Sequence, residues 1–123
     1  MDAGLNEEGA EPEIQVLDRP YGHQELLMLN AVSTVKIISV APGFRLSLHR
    51  HEKRDEWWTV LDVPLDVHVD GRAWTAEPGA RVWIPRGLTH CIGNPGTAPG
   101  RFLEIALGLF DENDIERLDE GCP

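Results

Sequence analysis

An all-β fold, a barrel or sandwich of short strands, is what these 123 residues predict, and three observations carry the prediction. Apolar and polar residues alternate in short runs, the period of a half-buried strand. Turn formers separate those runs at Pro42-Gly43, Asp70-Gly71, Pro78-Gly79 and Pro95-Gly96. A helical pattern occurs only in the last segment, and closely spaced short strands with so little helix indicate a closed or two-layered antiparallel architecture.

The elements follow in order. Residues 1–13 are rich in Gly, Glu and Ala and form an acidic tail expected to be loosely ordered. From Ile14 the pattern turns to β, and strands are expected over 25–30 (ELLMLN), 34–41 (TVKIISVA), 45–51 (RLSLHRH), 57–62 (WWTVLD) and 65–71 (LDVHVDG). Further strands are expected over 72–76 (RAWTA), 81–85 (RVWIP), 90–94 (HCIGN) and 101–108 (RFLEIALG), which makes 14–110 the barrel. In the acidic C-terminal tail, residues 111–123, Asp111 to Asp114 can start a short helical turn running through Ile115 and Leu118.

Length and composition fit a single domain. No run approaches the ~18 apolar residues of a membrane span, and the acidic start lacks the basic residues of a secretory signal, so a cytoplasmic protein with no membrane partner is expected. The net charge of −10 sits at the ends, with −5 in residues 1–13 and −5 in residues 111–123, whereas 14–110 is neutral. So acidic a chain is not expected to bind nucleic acid; the local cluster Arg45, Arg50, Lys53 and Arg54 suits a small anion instead. Cys91 and Cys122 do not suggest a disulfide framework, and Cys91, next to His90 on a strand, should point to the opposite face and pack as a small residue.

Two motifs carry the chemistry. The first reads Gly43, five residues, His49, one, His51, four, Glu56; the second reads Gly79, five residues, Pro85, one, Gly87, two, His90, three, Asn94. His49 and His51 leave the same face of a strand and can converge on one ion, His90 arrives from another strand, and Glu56 adds a carboxylate. Neutral imidazole and carboxylate together suit one first-row divalent metal, and four such ligands leave two places open on a six-coordinate ion. His68 has solvated neighbours and His23 reads as a surface residue, so neither is given a role.

Strand parity adds detail. Ser47, His49 and His51 share a face, so Leu46 and Leu48 are expected on the other, needing cover from the N-terminal strand or a second subunit; a homodimer is therefore expected. Glu56, Trp58 and Val60 share a face, which makes Trp58 a wall of the pocket. Glu104 shares parity with Phe102 and Ala106, and the sequence leaves open whether it faces the pocket or solvent.

The double motif resembles that of the cupin superfamily, whose two motifs lie on neighbouring strands of a small antiparallel β-barrel with a metal inside. Only the family's glycine seven residues after the glutamate is missing, Val63-Pro64 standing there. A narrower resemblance, over roughly residues 18–120, is to the C-terminal cupin domain of type II phosphomannose isomerases, through DRPYG, VKI, LSLHRH, RDEWW, WIPRGLTH, NPG, LEIALG and DENDIERL in that order. It implies a metal centre of His49, His51, Glu56 and His90 loaded with Zn, Mn, Co, Ni or Fe, and a phosphorylated sugar as substrate. Mannose 6-phosphate and fructose 6-phosphate would interconvert through an enediolate. Arg54 matches the family's HHHRxE arginine and is the expected phosphate contact, with Lys36 and Arg86 behind it. Glu104 matches a glutamate of the LIEVQ run and is the expected proton-transfer base.

Departures from the family are His49 where a glutamine is usual, Glu52-Lys53 in place of two histidines, Trp57 in the family's EHW, and Cys91 where an arginine often follows the last histidine; two of the last three lie close to where a substrate would sit. Two further readings share the ligand set: an Fe(II) oxygenase, and a non-catalytic sugar- or effector-binding cupin.

Overall fold

The computed structural model describes residues 10–118 and residue 122, so most of the expected N-terminal tail lies outside the described residues. The strands are β1 (Gln15–Arg19), β2 (Gly22–Leu26), β3 (Ser33–Val40), β4 (His49–Arg50), β5 (Arg54–Val60), β6 (Leu65–Val69), β7 (Arg72–Ala76), β8 (Arg81–Ile84), β9 (His90–Gly93), β10 (Gly100–Gly108) and β11 (Glu116–Arg117). All pairings are antiparallel. They form a β1-β2 hairpin, a sheet of order β3-β10-β5-β8 and a sheet of order β11-β4-β9-β6-β7. This all-β, two-sheet arrangement is consistent with a jelly-roll, as the alternation predicts.

Between the two larger sheets the side chains grade from apolar to polar along each strand. At one end Val40, Val60, Leu65, Ile92 and Phe102 are fully or almost fully buried. Trp58, its ring centroid 5.2 Å from that of Phe102, closes this apolar half. Beyond Trp58 the inward positions become Arg54, Glu56, His51, His90 and Glu104, every one of them buried. Burying this many ionisable groups is unfavourable unless they satisfy one another or a ligand. Gly43 and Gly79, the first residue of each motif, have φ of 81° and 89°, a left-handed backbone that lets the chain turn sharply before each ligand-bearing segment.

Three expectations are corrected. No helix occurs among the described residues. Asp111 instead makes a local turn, its carbonyl accepting from Asp114 N and its carboxylate from Asn113 N at 2.9 Å each, and β11 then pairs with the edge of β4. Leu46 does not face outward but packs against the core. The reason is a bulge: Arg45 lies opposite Gly93 and His49 opposite His90, four steps along one chain against three along the other. The extra residue resets the alternation, so Leu46 and His49 both turn inward and Leu46 needs no cover from a second subunit.

The third correction concerns the cysteines. Cys91 leaves β9 on the face opposite His90, as parity requires, and is fully buried there. The C-terminal chain, carried back over this sheet by β11, brings Cys122 within 5.9 Å Cα–Cα, and the two form a disulfide.

Candidate metal centre

Three histidines from two strands and the connection after β4 meet at the polar end of the interior. One ring nitrogen from each of His49, His51 and His90 lies within 4.8 Å of those of the other two. Each ring is held through its other face. His49 Nδ1 donates to Ser47 O at 2.7 Å, His51 Nδ1 to Asp114 O at 2.6 Å and His90 Nδ1 to Leu88 O at 2.9 Å. A carbonyl can only accept, so all three are in the Nδ1–H tautomer, with the lone pair that could ligate on Nε2; backbone carbonyls commonly orient metal-binding imidazoles in this way.

Protonation works in the same direction. Burial, then the neighbouring His49, pushes His90 down to about 3. Burial also lowers His49 and His51 below the ordinary histidine range. Near neutral pH the three rings are therefore uncharged, and an incoming cation displaces no proton from them. His90 Nε2 is buried with no hydrogen-bond partner. A buried acceptor without a donor is costly in a dry protein, and a cation in the centre would satisfy it. The residues fit a divalent metal.

The second carboxylate of the site faces the same space. Glu56 is 1% exposed; its Oε2 lies 3.3 Å from His51 Nε2 and its Oε1 3.7 Å from His90 Nε2. Trp58 Nε1 donates to Glu56 Oε1 at 3.1 Å and to Glu104 Oε1 at 3.3 Å, tying the two carboxylates to one indole. Glu104 faces inward, which the sequence left open. Burial and then the charge of Glu56 push its carboxyl up to about 7.

The expected cations separate into three situations. Lys36 is exposed at the rim, its ammonium 4.2 Å from the centroid of the Phe110 ring. Arg54 is 7% exposed and lies over the same ring at 4.3 Å. Its Nε donates to Glu56 Oε2 at 3.1 Å, its NH1 to Asp111 O at 3.3 Å and its NH2 to His51 Nε2 at 3.1 Å. Arg86 is not brought to the centre. It pairs with Asp55 at 3.1 Å, and Asp55 leaves β5 on the face opposite Arg54 and Glu56. His68 and His23 take no part in the cluster.

Sequence reasoning missed Phe110 and Asp114. Asp114 holds His51 through its carbonyl, and its carboxylate accepts from the backbone N–H of Glu52 and Lys53, both at 2.9 Å. It lies in the DENDIERL segment, but nothing local marks its role, because it acts on a turn more than 60 residues earlier. Asp114→Ala is expected to lose about 1–2 kcal/mol of stability, two partly exposed charge-assisted bonds being removed. It should also bind Zn²⁺ several-fold more weakly. Denaturant melts and a zinc titration check both; unchanged zinc affinity in a destabilised variant would show that this turn does not set His51.

The two sheets, the inward histidine cluster and the paired motifs define a cupin. A cupin protein from Bacteroides fragilis has the same fold, with a TM-score of 0.59 and 22% identity over 67% of this chain and 70% of that one. Within that class the chain belongs to the family described as Mannose-6-phosphate isomerase C-terminal, whose sequence model matches residues 6–120. It is 34% identical over 103 residues to the alginate biosynthesis protein AlgA of Pseudomonas aeruginosa, which covers 83% of this chain and 21% of the relative. It is also 34% identical over 100 residues to a mannose-1-phosphate guanylyltransferase of Escherichia coli K12, covering 80% and 21% respectively. The chain thus spans about a fifth of the length of these relatives. No helix among the described residues is long and apolar enough to cross a membrane.

Proposed function

We propose that this chain is a metal-dependent sugar-phosphate isomerase that interconverts mannose 6-phosphate and fructose 6-phosphate. The observation that carries the reading is Glu104: a buried carboxylate pushed up to about 7, facing the same interior as three neutral histidines. Aldose–ketose exchange needs a base that takes a proton from one carbon and returns it to the next, and a group titrating near neutral pH does both. His49, His51, His90 and Glu56 would hold a divalent ion, which when bound supplies a Lewis acid to polarise the sugar carbonyl.

The chain's own residues account for the remaining requirements. Trp58 stands beside His90 with ring centroids 5.5 Å apart and excludes water from one side of the pocket. Its indole N–H holds Glu104 at a fixed distance from Glu56. Lys36, exposed and over the Phe110 ring, would meet a phosphate outside the buried centre. The family description and the sugar phosphate in the name of the guanylyltransferase relative support a phosphorylated sugar as the substrate class. Val35 and Ile37, both 58% exposed on the outer face of edge strand β3, favour burial against a second copy, and light scattering would show a monomer if that is wrong.

The test is turnover of mannose 6-phosphate by protein loaded in turn with Mn, Co, Zn or Fe, with His49→Ala as the blank. Activity that requires both ion and His49 is the expected result. Protein carrying about one ion per chain with no turnover on any metal would overturn the isomerase reading and leave an oxygenase or a binding module.

A further inference from the structure

Arg54 occupies an unusual position for a residue expected to meet a substrate phosphate. All three of its guanidinium nitrogens are engaged within the protein, two of them with residues of the metal centre. The bond to His51 is the informative one. His51 Nδ1–H is committed to the Asp114 carbonyl, so Nε2 has a single lone pair, and Arg54 NH2 takes it. That lone pair cannot serve a guanidinium N–H and a metal ion together. Glu56 Oε2 is different, since a carboxylate oxygen can keep its bond from Arg54 Nε and still offer a second lone pair.

We propose that Arg54 is a built-in competitor for the ion, a guanidinium that must release His51 before the centre can load and that is then offered to an anionic ligand. The inference deepens the metal-centre reading above and rests on it. Only the NH2 contact has to be given up. Nε can stay on Glu56, NH1 on the Asp111 carbonyl and the cation over the Phe110 ring, so Arg54 remains held at the edge of the pocket.

Charge balance points the same way. Arg54 and Glu56 form a buried ion pair, 7% and 1% exposed. A divalent cation placed beside Arg54 leaves an excess of positive charge in a low-dielectric interior even with Glu104 counted as an anion, together with a guanidinium N–H₂ that has lost its acceptor. Both are relieved by an oxyanion, so ion and anion binding become cooperative, and the ligand class is a small anion rather than a neutral sugar.

The test compares Zn²⁺ and Co²⁺ affinities of the wild-type chain and Arg54→Gln, reading Co²⁺ by its visible absorption. If Arg54 competes, the variant binds either ion at least about tenfold more tightly, because the guanidinium that holds the His51 lone pair and adds positive charge to the centre has been removed. If Arg54 only supports the ligands, the variant binds about 10–100-fold more weakly, as outer-shell substitutions do, and the proposal fails. Equal affinities also overturn it. Uptake by the variant alone supports it, whereas no uptake by either protein sinks the metal-centre reading as well.

A second measurement needs no variant. In wild-type protein the Arg54 side-chain N–H resonances should move when Zn²⁺ is added, together with the His51 ring nitrogens. Arg54 signals that stay fixed while the His51 nitrogens shift would refute the exchange even if Arg54→Gln failed to fold.

Discussion

Replacing His49 with alanine is expected to reduce ion affinity by more than about 100-fold, beyond the range typical of outer-shell substitutions. His49 is suited to this test because it is only half-buried, so its loss leaves a smaller cavity than loss of His90 would. Its ring centroid lies 4.4 Å from that of His90 and 5.0 Å from that of His51, so removing it takes away one of three converging imidazoles and leaves His51, His90 and the Glu56 carboxylate to hold an ion more weakly. Burial lowers its pKa, so at a pH above the ordinary histidine range the ring is neutral in the folded and unfolded chain alike, and taking it away there should change the stability of the ion-free chain little. The ion-dependent stabilisation should shrink accordingly. At a free ion concentration 1,000 times the wild-type Kd, wild-type protein gains about 4 kcal/mol, several degrees or more in Tm, whereas His49→Ala should gain no more than about 1.4 kcal/mol. Thermal melts with and without Zn²⁺, with the bound ion counted by elemental analysis, decide the matter. A variant that retains one ion with affinity within threefold of wild type would remove His49 from the site.

Glu104→Gln is expected to act on stability and turnover in opposite directions. The native carboxyl titrates at about 7 and the unfolded one near 4.5. Between those values the native state holds the extra proton, so the stability associated with Glu104 is fully present below about pH 4.5 and is lost as pH rises through 7. Above that, the buried charge costs about 3 kcal/mol, a net figure that already includes what the Trp58 N–H and Lys36 recover. Glutamine keeps an acceptor for the Trp58 indole and carries no charge. The ion-free variant should therefore melt several degrees above wild type at pH 8 and match it at pH 5. Catalysis should fall by about 10²- to 10⁴-fold, the usual contribution of a positioned base. Equal melting curves at pH 8 would mean that Glu104 is not buried as a charge. Full turnover in the variant would assign the proton transfer to another group.

Much of the site could be read from the chain because β-structure has a period of two. The HxH spacing placed His49 and His51 on one face, the alternation of β5 placed Trp58 beside Glu56, and the alternation of β10 put Glu104 in the same set as Phe102 and Ala106. Turn-forming glycines at the head of each motif marked where the strands begin. The same rule failed between Arg45 and His49, where an inserted residue resets the alternation and turns Leu46 inward. A bulge of this kind leaves no compositional mark, since it is defined by the partner strand.

Arg54, Arg86 and the cysteines show a second limit. As residue types, the arginines near the motifs suggested an anion site, yet Arg86 is taken by Asp55 and Arg54 by Glu56 and His51. Cys91 and Cys122 looked unrelated at a separation of 31 residues until β11 carried the tail back over β9.

The amino-acid sequence by itself determined the fold class, most strand segments from β5 to β10 and which residues form the two motifs, because each depends on neighbours within one strand or turn; the strand expected over 25–30 ends at Leu26, and that expected over 45–51 narrows to His49–Arg50. Only the tertiary structure decided which way Glu104 points, what holds His51, where the C-terminal segment lies and which charges neutralise each other. Most of those outcomes depend on contacts across 31 to 63 residues, where packing and desolvation select the partner and no local pattern records the choice.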